Sequence, residues 1–269
     1  MKEAVLVTAD GAAFRGLSAG AEGSTTGEVV FNTAMTGYQE ILTDPSYAGQ
    51  VVVLTAPHIG NYGSTSADDQ GSRIHARALV TRSLSRMTSS WRSEESFDEY
   101  LASRSVIAIS DIDTRRLTRH IRDHGAMPVA IGTDSDVAEL AELAAAAPSM
   151  GGLDLVQTVT TSEEYHSPAK GETLGSVVAY DFGIKRDIIH AMNERGLDVT
   201  VVPSRTPAPE VLAKDADAVF LSNGPGDPEP LGVEIENVRA LLGRIPVFGI
   251  CLGHQVLGLA LGARTFKLP

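Results

Sequence analysis

From residue 176 onward the chain keeps a steady beat of short apolar runs and amphipathic stretches. The runs at 177–182, 199–202, 218–221 and 246–250 are mostly apolar and short enough for strands. Between them, 185–195, 208–213, 233–242 and 254–261 carry apolar positions at helical spacing, and Gly196 follows the first of them as a stop. Strand and helix alternate through short connections, so successive strands are expected to be parallel with helices on both faces. The pattern predicts an α/β domain over 176–269 with a mainly parallel, doubly wound sheet. Reactive groups in such sheets sit beyond the carboxyl ends of the strands.

The first half has no such beat. Residues 29–32, 50–55, 105–109 and 127–132 are β-rich, separated by long polar connections. Residues 111–124 read as a helix that Asp111 or Asp113 can cap and Gly125 can stop, with a narrow apolar stripe of Ile112, Leu117 and Ile121. An alanine-rich helix over 136–147 ends at Pro148. This mixture predicts an α+β domain over 1–159. The polar segment 160–175, TTSEEYHSPAKGETLG, reads as a linker between the two domains.

Composition narrows the chemistry. The 269 residues are 43% hydrophobic and 21% charged, and 34 acidic against 22 basic residues give a formal charge of −12. Such a surface repels phosphate backbones and anionic lipid, so neither nucleic acid nor membrane is expected as a main partner. The apolar stretch in MKEAVLVTADG is too short for a secretion signal, and a single cysteine excludes an internal disulfide, so a cytoplasmic location is expected. Histidines and acids look dispersed rather than grouped at ligand spacing, so no metal site is expected.

That one cysteine, Cys251, sits in GICLGHQ, where an apolar strand runs in and a helical pattern runs out. Gly249 and Gly253 stand two residues before and two after it. A sharp strand-to-helix turn needs small flanking residues there, and it pushes the central side chain out at the sheet's rim, the geometry of a nucleophile elbow. The helix start behind it favours an anion, and the Leu252 N–H would face a forming oxyanion. The bland alternative is a tight turn with Cys251 as a small hydrophobe. A second loop, SNGPGDP over 222–228, follows the third strand of the same sheet. Its glycines expose main-chain N–H groups and its prolines stiffen it; it lacks the G-x-G-x-x-G and G-K-[ST] patterns of nucleotide loops.

GICLGHQ together with LSNGPGDP resembles the class I, triad-type glutamine amidotransferases, whose sheet is flavodoxin-like. FNTAMTGYQEILTDPSYAGQ, APHIGNYG and AISDIDTRRLTRHIRDHGAMPVAI are similar to the N-terminal domain of the carbamoyl-phosphate synthase small-subunit family. The resemblance spans nearly the whole chain. It implies that Cys251 attacks the carboxamide of glutamine to give a thioester and ammonia. Gly224 and Leu252 would supply oxyanion N–H groups, and Gly226, Gln255 and Ser46 would help bind glutamine. Without it, Ser46 reads as a turn residue and Gln255 as a polar residue of a first helical turn. The implied partner is a large synthetase subunit that forms carbamoyl phosphate from ammonia, bicarbonate and ATP for arginine or pyrimidine synthesis. No cofactor is expected in this chain; ATP and magnesium would belong to the partner.

One departure stands out. The family draws its base and orienting acid from a histidine and a glutamate well downstream of the cysteine. Residues 252–269 contain one histidine, His254, and no Asp or Glu. His254 lies within the G-H-Q of the motif and is expected to be structural. The resemblance therefore implies a chain shortened at its C-terminal end, with an incomplete triad and an apolar sheet edge left open. The competing readings are a docking subunit without amidase activity and a cysteine hydrolase of another specificity.

Overall fold

The computed structural model describes residues 2–266. They fall into two compact units that divide at 149/150.

In the first unit, seven strands close into a barrel: β1 (Glu3–Thr8), β2 (Ala13–Gly20), β3 (Ser24–Asn32), β4 (Gln50–Leu54), β5 (Ala78–Thr81), β6 (Ile107–Ser110) and β7 (Met127–Thr133). Their order around the barrel is β1-β2-β6-β5-β4-β3-β7, and β7 returns to pair with β1. The run from β3 through β4 and β5 to β6 is parallel, and the remaining pairs are antiparallel. All seven strands contribute to one buried cluster, with Leu6, Phe14, Val29, Val53, Val80, Ile109 and Ile131 among its members. The opposite faces are covered as well. Val52, Leu54, Leu79 and Ala108 pack with Tyr38 and Leu42 of α1 (Tyr38–Thr43) and with Phe97, Tyr100 and Leu101 of α2 (Phe97–Ser103).

Two-sided burial hides β1 and β5 from the hydrophobic pattern, whereas the mostly half-buried β2 has no such cause. The expected α+β domain is present as strands with covering helices, but its closed barrel was not foreseen, and β1, β2 and β5 were not read as strands. A strand buried on both faces loses the alternation that marks a half-exposed one. The buried residues of β1 are consecutive, Ala4 to Thr8. All four residues of β5 are buried.

The helix expected over 136–147 is α4 (Val137–Ala146), and that expected over 111–124 is α3 (Thr114–His124). Asp113 caps it, accepting from the Arg116 N–H at 2.9 Å, and Gly125 ends it at φ 85°, where its N–H donates to the Ile121 carbonyl at 2.8 Å. Leu117 and Ile121 enter the barrel cluster. On its other side, His120 and His124 meet Asp10 from the β1–β2 turn. The histidines are therefore not dispersed as the sequence suggested; the acid that groups with them lies far upstream.

In the second unit, a five-stranded sheet has the order β12-β11-β9-β10-β8. Its strands are β8 (Tyr165–Ser167), β9 (Gly175–Asp181), β10 (Leu197–Pro203), β11 (Ala218–Leu221) and β12 (Val247–Gly249). The last four are parallel, while β8 runs antiparallel along β10. The helix α5 (Arg186–Asn193) covers one face through Ile189 against Val177, Val199, Val201 and Phe220. The other face carries α6 (Ala208–Leu212), α7 (Gly232–Leu241) and α8 (Leu252–Ala260), with Val211, Val238, Leu241 and Val256 packed on Val178, Tyr180, Val219 and Leu221. The segment 160–175, read from sequence as a linker, thus contributes a sheet strand. Val156, upstream of it, is buried in the same cluster as Val178. The polar, mostly exposed residues of β8 hide its pairing from any hydrophobic pattern. On the opposite edge, β12 leaves Phe248 64% exposed.

One half-buried group gives the first unit a pH dependence. Burial first, and then Arg73, pushes the His75 imidazole down to about 4, against a weaker opposing effect of Asp44. Between its ordinary value of 6.5 and about 4 the unfolded chain binds the proton more tightly, so stability is present above pH 6.5 and is lost as pH falls through this window. His75→Gln is expected to flatten the slope of urea stability between pH 6.5 and 4 relative to the parent chain. An unchanged slope would contradict the assignment.

Candidate active site

Strand β12 runs parallel to β11, with Val247 opposite Val219 and Gly249 opposite Leu221. The chain then turns within two residues and α8 begins at Leu252. Main-chain bonds fix the turn to the end of β11. The Ile250 N–H donates to the Leu221 carbonyl at 3.0 Å, and the Gly253 N–H to the Ser222 carbonyl at 3.0 Å. The Gln255 N–H closes the first helical turn on the Cys251 carbonyl at 3.1 Å.

Cys251 occupies the cap of α8 at φ 51°, ψ −114°, outside the left-handed helical well that a non-glycine residue can enter at modest cost. Holding a side-chain-bearing residue there costs about 1–3 kcal/mol. The flanking glycines permit it. A Cβ on Gly253 would lie 2.2 Å from the Leu221 carbonyl oxygen, and one on Gly249 would lie 2.6 Å from the Gly253 carbonyl carbon. Both obstacles are backbone, so neither can swing aside. The Cys251 side chain is exposed.

Two further loops are tied to this elbow. In the loop after β11, the Ser222 hydroxyl accepts from the Phe182 N–H at 2.9 Å and donates to the Asn223 carbonyl at 2.7 Å. The Asn223 side chain donates to the Gly183 carbonyl at 2.8 Å and accepts from the Lys185 N–H at 3.2 Å. Gly224 is buried against both the β9 loop and the elbow: a Cβ there would lie 2.1 Å from the Phe182 carbonyl oxygen and 2.8 Å from Leu252 Cδ2. Gly226, exposed, turns the loop at φ 82°. The loop after β9 is organised by Asp181, which accepts from the Gly183 N–H at 2.8 Å, the Ile184 N–H at 2.7 Å and the Thr161 N–H at 2.7 Å. Burial raises the Asp181 carboxyl above its ordinary value, opposed by those three donors. The loops leaving β9, β11 and β12 therefore form one rigid rim at the carboxyl ends of the strands, where the strand order reverses and α/β sheets bind their ligands.

Family models match both units. The model for the carbamoyl-phosphate synthase small chain, CPSase domain, covers residues 6–131, and that for glutamine amidotransferase class-I covers 178–269. The carbamoyl phosphate synthase small chain of Syntrophotalea carbinolica is 51% identical over 99% of this chain and 74% of its own length. Those of Thioalkalivibrio sulfidiphilus and Pseudomonas aeruginosa are 52% and 51% identical, over 98% and 99% of this chain and 74% and 75% of their own lengths. The chain belongs to the carbamoyl-phosphate synthase small-chain family. Its second unit carries the family's class I glutamine amidotransferase domain. Among solved structures, an aminopeptidase from Aneurinibacillus sp. strain AM-1 matches with a TM-score of 0.27 and 10% identity over 98% of this chain and 70% of that one, too little to bear on fold or function.

Of the residues singled out from sequence in this small-chain member, Cys251, Leu252, Gln255, Gly224 and Gly226 all belong to the rim of the second unit. Leu252 is buried, while Gln255 and His254 are exposed on the first turn of α8. Ser46 belongs to the first unit, on the short turn Pro45–Tyr47, where its N–H donates to Asp44 at 2.9 Å. Sequence reasoning passed over Asp181, Ser222 and Asn223 as working parts of the rim. The signal was available for Asp181, an acid closing an apolar strand, but its three N–H partners come from a turn and a distant loop.

The strained cap yields a stability test. Cys251→Gly relieves the positive φ and Cys251→Ala keeps it, so urea unfolding should find the Gly variant more stable by about 1 kcal/mol. Gly253→Ala, with its Cβ against a main-chain carbonyl, should be destabilised relative to both the parent and Cys251→Ala. Equal stability of Cys251→Gly and Cys251→Ala would remove the strain from the account.

Proposed function

We propose that this chain is the glutamine-hydrolysing subunit of a carbamoyl-phosphate synthase, with Cys251 as its nucleophile. The observation that carries the reading is the exposed sulfur on a strained, glycine-flanked elbow that is bonded to the rigid 222–228 loop. The thiolate sulfur attacks the side-chain amide carbon of glutamine, and the carbonyl oxygen takes up the negative charge. The N–H groups of Leu252 and Gly224 stabilise that oxyanion; one such donor is worth about 2.7–4 kcal/mol in the transition state. Collapse breaks the carbon–nitrogen bond, the nitrogen takes a proton from a solvent water at the exposed site and leaves as ammonia, and a glutamyl thioester remains. Water then cleaves the thioester to glutamate and restores the sulfur. Gln255 and Gly226 are proposed to help bind the glutamine.

The ammonia passes to a large ATP-dependent synthetase subunit, which joins it to bicarbonate. ATP and magnesium are assigned to that partner, and the complex is placed in the cytoplasm. None of the helices among the described residues is long and apolar enough to cross a membrane.

The competing reading is a chain that docks on the synthetase without hydrolysing glutamine. A glutamine-like chloroketone separates the two. The chain is expected to be alkylated at Cys251 faster than an unstructured cysteine peptide, with free glutamine slowing the reaction. Labelling no faster than the peptide, or indifferent to glutamine, would support the docking reading and overturn the amidase site.

A further inference from the structure

The first unit gathers two imidazoles and a carboxylate. His120 and His124 lie one turn apart on the last turns of α3, and the β1–β2 turn brings Asp10 to them. One ligand atom from each lies within 4.8 Å of the other two. We propose that Asp10, His120 and His124 form a binding site for a divalent transition-metal ion of the zinc type, a site distinct from the amidase chemistry.

Each ligand is already oriented from behind. Asp10 Oδ1 accepts from the Thr8 hydroxyl and, at 3.4 Å, from the Ala12 N–H, which leaves Oδ2 toward the imidazoles. His124 Nδ1 stands 2.9 Å from the His120 carbonyl oxygen. A carbonyl only accepts, so that bond requires a proton on Nδ1 and leaves the Nε2 lone pair for a metal. Metal-bound histidines are held in this way, by a bond from the other ring nitrogen to a carbonyl or carboxylate.

The His120 contact is the most telling. Its Nε2 is buried and lies 2.8 Å from Asp10 Oδ2. Ligands about 2.0–2.2 Å from a tetrahedral zinc are about 3.3 Å apart, so admitting the ion asks this pair to open by a few tenths of an ångström. His124, whose ring lies 4.4 Å from that of His120, closes in from the other side.

The site lies at the carboxyl end of α3, where the helix dipole is negative and favours a cation. Arg115, Arg116 and Arg119 line the adjoining surface and oppose that attraction; of these, Arg116 is engaged on the Phe14 ring and the Ala13 carbonyl. His120 and His124 also line an open groove of about 600 Å³, which gives an ion access and leaves room for water as a fourth ligand. A bound ion would clip the end of α3 to the β1–β2 turn of the barrel.

Calorimetric titration with zinc tests this, on the full chain carrying Cys251→Ser so that the thiol does not compete. The expected result is one zinc ion per chain, bound roughly tenfold or more weakly after Asp10→Asn or His124→Ala. His166→Ala, at the histidine that faces Asp198 in the other unit, should leave the affinity unchanged. Because His124 is exposed, His124→Asn serves as a second variant, and an unchanged urea midpoint certifies its fold. Absence of saturable zinc binding would overturn the proposal, as would binding that persists in the His120→Ala/His124→Ala chain.

Discussion

The contact on which the second unit's chemistry depends is backbone against backbone: the first turn of α8 lies on the end of β11 with no space for a Cβ between them. This closeness lets the Gly253 N–H reach the Ser222 carbonyl and carries the nucleophile out beyond the sheet. It also sets the φ of Cys251, because the chain must reverse between Gly249 and Leu252 with both ends pinned. Buried packing of Val256 and Leu252 against Val219 and Leu221 supplies the free energy that holds the strained residue in place. The site is therefore a property of the sheet and not of a mobile loop.

The same logic explains why this part of the molecule was legible in the sequence. Strands of apolar residues, helices with one apolar face and short loops leave a parallel sheet little freedom, and glycines at two before and two after a cysteine have few other uses. What the pattern did not show was the support. Asp181 holds Thr161 from a segment that had looked like a linker, and Ser222 and Asn223 act through side chains on the main chain of 182–185. Such contacts join residues far apart in sequence, and periodicity carries no information about them.

The first unit was harder to read, for two physical reasons. Its strands are covered on both sides, so β1 and β5 show unbroken burial in place of alternation. Its closure pairs the first strand with the last, β1 with β7, a contact that only the folded chain reveals. The α3 helix was an exception, since Asp113, Gly125 and the stripe of Leu117 and Ile121 are local signals. The grouping of His120 and His124 with Asp10 was again nonlocal: two members were visible at one-turn spacing, and the third came from the opposite end of the unit.

A crystal structure of the chain alkylated at Cys251 by a glutamine-like chloroketone bears most directly on the elbow. The account predicts a positive φ at Cys251 and a ketone oxygen facing the N–H groups of Leu252 and Gly224. A sulfur turned inward beneath α8, or an oxygen pointing to solvent with both N–H groups engaged elsewhere, would contradict it.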